Sequence, residues 1–206
     1  MFAGWARSGA WQRILDALRD RPRVRAGRDR CPSAAIIDAQ TLPARRHRAR
    51  SSRGWDGAKK TKGVKRHLAV DVNGLLLAVV VTAASIQDRD AAHQLLAALR
   101  GSFSTIGLVW ADGGYPGRLL IWANGVLTLT MRIIKRIPRA TGFHVRARMW
   151  VVERSSAWIN KHRRCARLPN QTRPPRSHRP PRHDHDHHQP TRPNLTVFKH
   201  PLRQGP

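Results

Sequence analysis

Cysteine is almost missing from this chain. Cys31 and Cys165 form no C-x-x-C pair and stand far apart. That excludes a disulfide framework and a cysteine-held zinc, and predicts a reducing, cytoplasmic setting. Long apolar runs are missing too. The longest, Leu75 to Ala84, is too short to cross a bilayer, and no continuous apolar stretch at the N-terminus reads as a signal peptide. Acid is scarce: 12 Asp and Glu stand against 39 Lys and Arg, for a net charge of +27. So lopsided a balance implies a polyanionic partner, above all nucleic acid. Glutamate occurs once, as Glu153, in a segment crowded with Arg146, Arg148, Arg154, Lys161, Arg163 and Arg164. A lone carboxylate there is either an ion-pair partner or a ligand for a cation.

What is present has clear periodicity. Trp11, Ile14, Leu15 and Leu18 predict an amphipathic helix over 9–21, ended by Pro22. Ser33 to Ala39 reads as a short buried strand with Asp38 at its C-terminal end, where an acid either caps the next turn or serves a site. Thr41 to Arg66 reads as a long flexible connection with ten basic residues and one acid, Asp56. His67 to Val72 alternates, Asn73-Gly74 is a strong hairpin signal, and Leu75 to Ala83 reads as a central strand buried on both faces. Asp71 falls in the hairpin and has a structural role there. Ser85 with Asp88 predicts a capping box opening a helix to about Arg100, with Ala91, Leu95, Leu96 and Leu99 inward. Thr105 to Ala111 is another buried strand, running into Asp112-Gly113-Gly114-Tyr115. A helix from Tyr115 to about Val126, a near-edge strand over Leu127 to Arg136, a turn over Pro138 to Thr141 and a helix over 150–166 follow. The last of these places Glu153, Ala157 and Lys161 on one face. Beyond Pro169 the apolar pattern stops, and residues 171–206 hold eight prolines. Such a composition predicts a disordered tail. Its His183-Asp184-His185-Asp186-His187-His188 tract has no fixed ligand geometry.

Alternating strands and helices predict an α/β fold. Asp38, Asp112 and Glu153 then stand at ends of elements that a mixed sheet would bring together, and ligand sites form outside the carboxyl ends of strands. Carboxylates suit hard cations such as magnesium, and paired ions of that kind serve in-line displacement at phosphorus. With a basic surface for a polyanion, phosphoryl transfer on nucleic acid is the natural chemistry. No phosphate-cradling G-x-x-x-x-G-K, zinc spacing or nucleophilic triad competes.

Five runs carry a resemblance: Ala34-Ala35-Ile36-Ile37-Asp38-Ala39-Gln40, then Gly54-Trp55-Asp56-Gly57-Ala58-Lys59-Lys60-Thr61-Lys62-Gly63-Val64-Lys65-Arg66-His67, Gln87-Asp88-Arg89-Asp90, Trp110-Ala111-Asp112-Gly113-Gly114-Tyr115, and Trp150-Val151-Val152-Glu153-Arg154. In that order, over roughly residues 9–165, the chain resembles the DDE transposases of bacterial insertion sequence family five. The resemblance implies an RNase H-like fold: a mixed five-stranded sheet flanked by helices. It implies that Asp38, Asp112 and Glu153 are catalytic and hold two magnesium ions, with manganese able to substitute. It implies nicking of transposon ends and joining of the 3′-hydroxyl to target DNA by a protein that is oligomeric when intact. It also implies DNA contacts from Lys59, Lys60, Lys62, Lys65, Arg66, His67, Arg148, Arg154 and Lys161, with Arg154 and Lys161 beside Glu153.

The resemblance further divides the chain. Residues 1–32 are the remnant of an N-terminal helical region for DNA binding and dimerisation, 33–168 the catalytic domain, and 169–206 the tail. Three departures stand out. Met149 occupies a position that is usually arginine. The preceding helical region is short. After about residue 165 an Arg-Asp-Tyr segment and an apolar helix give way to the Pro/His/Arg tail, as a frameshift would produce. A catalytically inactive, DNA-binding remnant is therefore the alternative to an active transposase.

Overall fold

The computed structural model describes residues 8–43, 53–135, 146–166 and 195–196. The arginines at 45–50, the turn at 138–141 and nearly all of the tail with its histidine tract lie outside them. The elements in order are α1 (Ala10–Arg25), β1 (Ala34–Pro43), β2 (Gly54–Asp56), β3 (Thr61–Val70), β4 (Leu76–Ala83), α2 (Asp88–Ser102), β5 (Leu108–Asp112), α3 (Arg118–Leu127), β6 (Thr130–Ile134), α4 (Met149–Lys161), α5 (Arg163–Ala166) and β7 (Leu195–Thr196).

The strands order as β6-β5-β1-β3-β4-β7, with β2 pairing the start of β3. β1, β3 and β4 run antiparallel in turn, while β5 is parallel to β1 and β6 to β5. These five strands form the mixed sheet of the RNase H-like fold. Two apolar clusters cover its faces. On one side Leu95, Leu96 and Leu99 of α2 and Leu119 and Ala123 of α3 pack on Ala35, Ile37, Ala69, Val109 and Ala111. On the other, Met149, Val151 and Val152 of α4 pack on Ile36, Leu68, Val70 and Trp110. The alternation of odd and even residues between the two clusters is the period-2 signature of β1, β3 and β5. Each fully buried leucine stabilises the fold by about 1.5–3 kcal/mol.

Local chemistry sets several boundaries as expected. The Asn73-Gly74 turn closes β3 onto β4, with Gly74 at φ +88°. Asp71 is wholly buried and accepts from the Asn73 and Leu75 amides at 2.9 and 2.8 Å, which is the structural role expected of it. The four predicted inward residues of α2 are all buried.

Other expectations are corrected. β4 is not central; β1 and β3 are, because pairing order depends on partners that apolarity alone does not reveal. The stretch up to Arg66 is not one loop: β1 runs on to Pro43 and pairs with β3 as far as Gly63, and β2 pairs with the start of β3. The capping box does not form. Gln87 is the N-cap without a side-chain bond, and Asp88 pairs instead with Lys65 at 3.1 Å. α3 begins at Arg118, after Pro116-Gly117, rather than at Tyr115, and the predicted helix over 150–166 breaks at His162.

α1 departs furthest. Pro22 lies within it, and of its expected inner stripe Ile14 and Leu18 are 41% and 64% exposed while Leu15 is half-buried. Arginines dock the helix instead. Arg19 is buried over the Phe103 ring at 4.8 Å. Arg23 is buried against Asp71 and donates to the Asp29 carbonyl at 2.7 Å, which keeps the chain helical past the proline.

His67, on β3, is buried with Nε2 2.9 Å from Thr82 Oγ1. Burial pushes its pKa down to about 4, with Lys65 adding to the effect and Asp88 opposing it. The unfolded chain takes up this proton near pH 6.5, so the stability is fully present above 6.5 and is lost as pH falls towards 4. His67→Gln, which removes that titration, is expected to gain on the parent by about 3 kcal/mol between pH 7 and pH 4. Urea midpoints across that range check it; parallel curves for the two proteins would refute it.

Candidate active site

β1 and β5 pair in parallel as far as Ile36↔Trp110. Two residues further along each strand stand Asp38 and Asp112. In parallel strands residues in register point to the same side, and Ile36 and Trp110 both face α4. The register therefore directs both acids towards the helix that carries Glu153. Asp38 is not at the end of its own strand, since β1 continues for five residues. It stands where β5 ends, so the open edge beside it is made by its neighbour. After Asp112 the Gly113-Gly114 turn folds back, and the Gly114 amide donates to Asp112 Oδ1 at 2.9 Å.

The electrostatics join the three acids. The Asp38 pKa is pushed up to about 6, chiefly by burial; the Ala39 backbone amide opposes this, the charges of Asp112 and Glu153 add to it, and Lys59 offsets part. Arg146, just before α4, spans the other two. Its Nη2 donates to Glu153 Oε1 at 2.6 Å and its Nη1 lies 3.9 Å from Asp112 Oδ2. Glu153 itself is exposed. Tyr115, the only tyrosine, is buried in the α2–α3 side of the core, and its hydroxyl has no hydrogen-bond partner among the described residues. Burial, then the charges of Asp38, Asp88 and Asp112, hold its pKa far above the ordinary value. A cleft of about 350 Å³ opens beside the Asp112 turn, lined by Lys65, Gln87, Asp88, Arg89, Gly113, Gly114 and Pro116. Three of the five sequence runs quoted above thus meet there.

The basic residues divide into two groups. Lys59, Lys60 and Lys62 are exposed on the β2–β3 hairpin, Lys161 is exposed at the end of α4, and Arg148 is exposed with its guanidinium 4.2 Å over the Trp110 ring. Lys65 is engaged internally by Asp88 and by the Ile86 carbonyl. Arg66 and His67, expected to contact DNA, are both buried. Arg66 is 4% exposed and donates to Gln40 Oε1, Asn160 Oδ1 and the Cys165 carbonyl, so it ties β1 and β3 to α4 and α5. Arg154 does not reach towards the acids. It donates to the Asn73 carbonyl at 2.9 Å and stacks on Trp150 and Trp158. Arg146 is the residue that sequence reasoning passed over. It was visible as one of many arginines, but nothing local distinguishes it from Arg148 or Arg154.

The donor set tests the fit of a metal. Three carboxylates offer only oxygen, the donor that suits a hard divalent cation. Among the described residues no three His, Cys, Asp or Glu side chains are close enough to hold an ion as they stand. The Arg146 guanidinium supplies the present counter-charge to Asp112 and Glu153.

No curated protein matches the chain. Among solved structures, the piggyBac transposase in a synaptic complex with hairpin DNA is similar at 14% identity, over 54% of this chain and 24% of that one, with a TM-score of 0.36. That likeness is too slight to build on, and this chain spans only a quarter of the other. The family described as the transposase DDE domain matches residues 29–174. This range holds β1, β5 and α4, and with it all three acids; the chain belongs to the DDE transposase domain family.

Proposed function

We propose that this chain is the catalytic domain of a DNA transposase of insertion sequence family five, which nicks transposon ends and joins the resulting 3′-hydroxyl to target DNA. The observation that carries the reading is the placement of Asp38 and Asp112 side by side where β5 ends, with Glu153 close enough to raise the Asp38 pKa. Asp38, Asp112 and Glu153 are the residues that hold two magnesium ions, with manganese able to take their place. Bound there, such ions polarise a phosphate and activate a hydroxyl nucleophile. The protein's own part is to hold these acids at the edge of a rigid sheet and to bring DNA to them. Lys59, Lys60 and Lys62 on one side, and Arg148 and Lys161 at the two ends of α4, are exposed and bind phosphates, an interaction that weakens steeply with salt. Arg146 offsets the charge of Asp112 and Glu153.

A second reading has one observation in its favour. Arg146 already occupies the space between Asp112 and Glu153, as in a remnant that binds DNA without cutting it. One assay separates the two. A labelled duplex carrying the element's terminal inverted repeat is incubated with the protein and magnesium, beside Asp112→Ala. Magnesium-dependent nicking that vanishes in the variant is the expected result. Binding without nicking establishes the remnant, and no binding by either protein removes both readings.

A further inference from the structure

The β2–β3 hairpin displays a tryptophan in the open. Trp55 is 57% exposed, although an indole is among the side chains that gain most from burial. Its position is held from both sides. On one side Gly54 packs so closely that a Cβ there would lie 2.3 Å from the Ser85 amide nitrogen. On the other, Asp56 is buried, bonded to the Thr41 hydroxyl and to the amides of Ala58 and Lys59 at 3.1 and 3.2 Å, with Lys65 at 3.9 Å. The indole therefore stands on a fixed base.

Its surroundings are cationic. Trp55 pairs across the hairpin with Lys62, and residues directly opposite in an antiparallel pair share a face. Lys59 and Lys60 occupy the turn, fully in solvent. Thr41, three residues past Asp38 on β1, bonds Asp56 of the hairpin, so the hairpin stands beside the strand that carries this acid. Three ammonium groups repel a basic partner and attract phosphate. An exposed aromatic face among phosphate-binding cations is the pattern that binds single-stranded nucleic acid by stacking. In an intact duplex the base faces are covered by their neighbours, so a stacking indole requires a base that has left the helix.

We propose that Trp55, flanked by Lys59, Lys60 and Lys62, is a stacking site for one unpaired nucleobase of the DNA strand that enters the carboxylate site. The proposal rests on the DNA-processing reading above and adds to it a preference for opened DNA.

Fluorescence anisotropy with two labelled probes of one sequence tests it, a blunt duplex and a fork with several unpaired 3′ nucleotides, using the whole chain without divalent metal. The parent is expected to bind the fork more tightly than the duplex. Trp55→Ala is expected to weaken fork binding about tenfold and leave duplex binding unchanged, and Trp55→Phe to restore most of the preference. A Trp55→Ala protein that keeps the parent's fork preference overturns the site. So does an equal loss on both probes that Trp55→Phe fails to restore. A parent that binds both probes alike overturns the site while leaving the DNA reading intact, whereas a parent that binds neither overturns both.

Discussion

Replacement of Arg23 by methionine is expected to destabilise the protein by about 3–5 kcal/mol, the cost of leaving one member of a buried ion pair alone. Arg23 is 4% exposed and Asp71 0%. The guanidinium bonds the carboxylate directly and also reaches the carbonyls of Asp29 and Cys31. Against a total of about 5–15 kcal/mol for an ordinary domain, that is a large fraction. The reason is desolvation rather than lost attraction: Asp71 still receives the Asn73 and Leu75 amides but keeps a charge that nothing nearby balances. Arg23→Met combined with Asp71→Asn is therefore expected to recover part of the loss, because the amide needs no cation. Urea unfolding of the parent, the single variant and the double variant reads this directly. A single variant within about 1 kcal/mol of the parent would show that the pair is a surface interaction in all but appearance.

Asp38→Asn is expected to separate stability from function. Magnesium-dependent nicking should fall on the order of a thousandfold or more, equivalent to about 4 kcal/mol of transition-state stabilisation. Stability at pH 7 should hold or rise. Because the folded pKa of about 6 lies above the ordinary value of 3.8, the folded state binds this proton more tightly than the unfolded one, and ionising the carboxylate weakens the fold as pH rises from 3.8 through about 6. Removing the charge removes that penalty. Duplex binding should also hold, since one negative charge fewer faces a polyanion. Nicking rates, thermal midpoints and duplex affinity on one preparation check all three. An Asp38→Asn protein that nicks at the parental rate would remove Asp38 from the site, and one that unfolds would make it a packing residue.

These expectations also show which features could be read along the chain. The strand around Ile36 and Ile37, the Asn73-Gly74 hairpin and the inward leucines of α2 follow from periods and turn residues within a few positions of one another. They appear where the sequence places them. The acids Asp38 and Asp112 were marked by their positions after apolar runs. Their adjacency, however, depends on the parallel register of β1 with β5, across a hairpin and a helix. The lysine-rich run shows the limit best. Residues from Lys59 to His67 look alike in charge, yet Lys59, Lys60 and Lys62 are in solvent, while Lys65, Arg66 and His67 lie along the part of β3 that helices and loops cover. A local pattern of basic residues cannot say where cover begins.

α1 makes the same point from the opposite direction. Its apolar spacing predicted an inner face of Ile14 and Leu18, but these are exposed, and the helix docks through Arg19 and Arg23. An arginine becomes an interior residue only when a partner such as Asp71, 48 positions away, is delivered to it by another element. By itself the sequence determined the strands around Ile36, Val80 and Val109, the Asn73-Gly74 turn, the inward face of α2, the basic character and the three candidate acids, since each depends on neighbouring residues and backbone preference. Only the tertiary structure decided which acids are adjacent, which arginines are buried and that Arg146 stands between Asp112 and Glu153. Charges in low dielectric are stabilised or penalised by whatever group lies within a few ångströms, and for Arg23, Lys65 and Arg146 that group includes Asp71, Asp88 and Asp112, each distant in sequence.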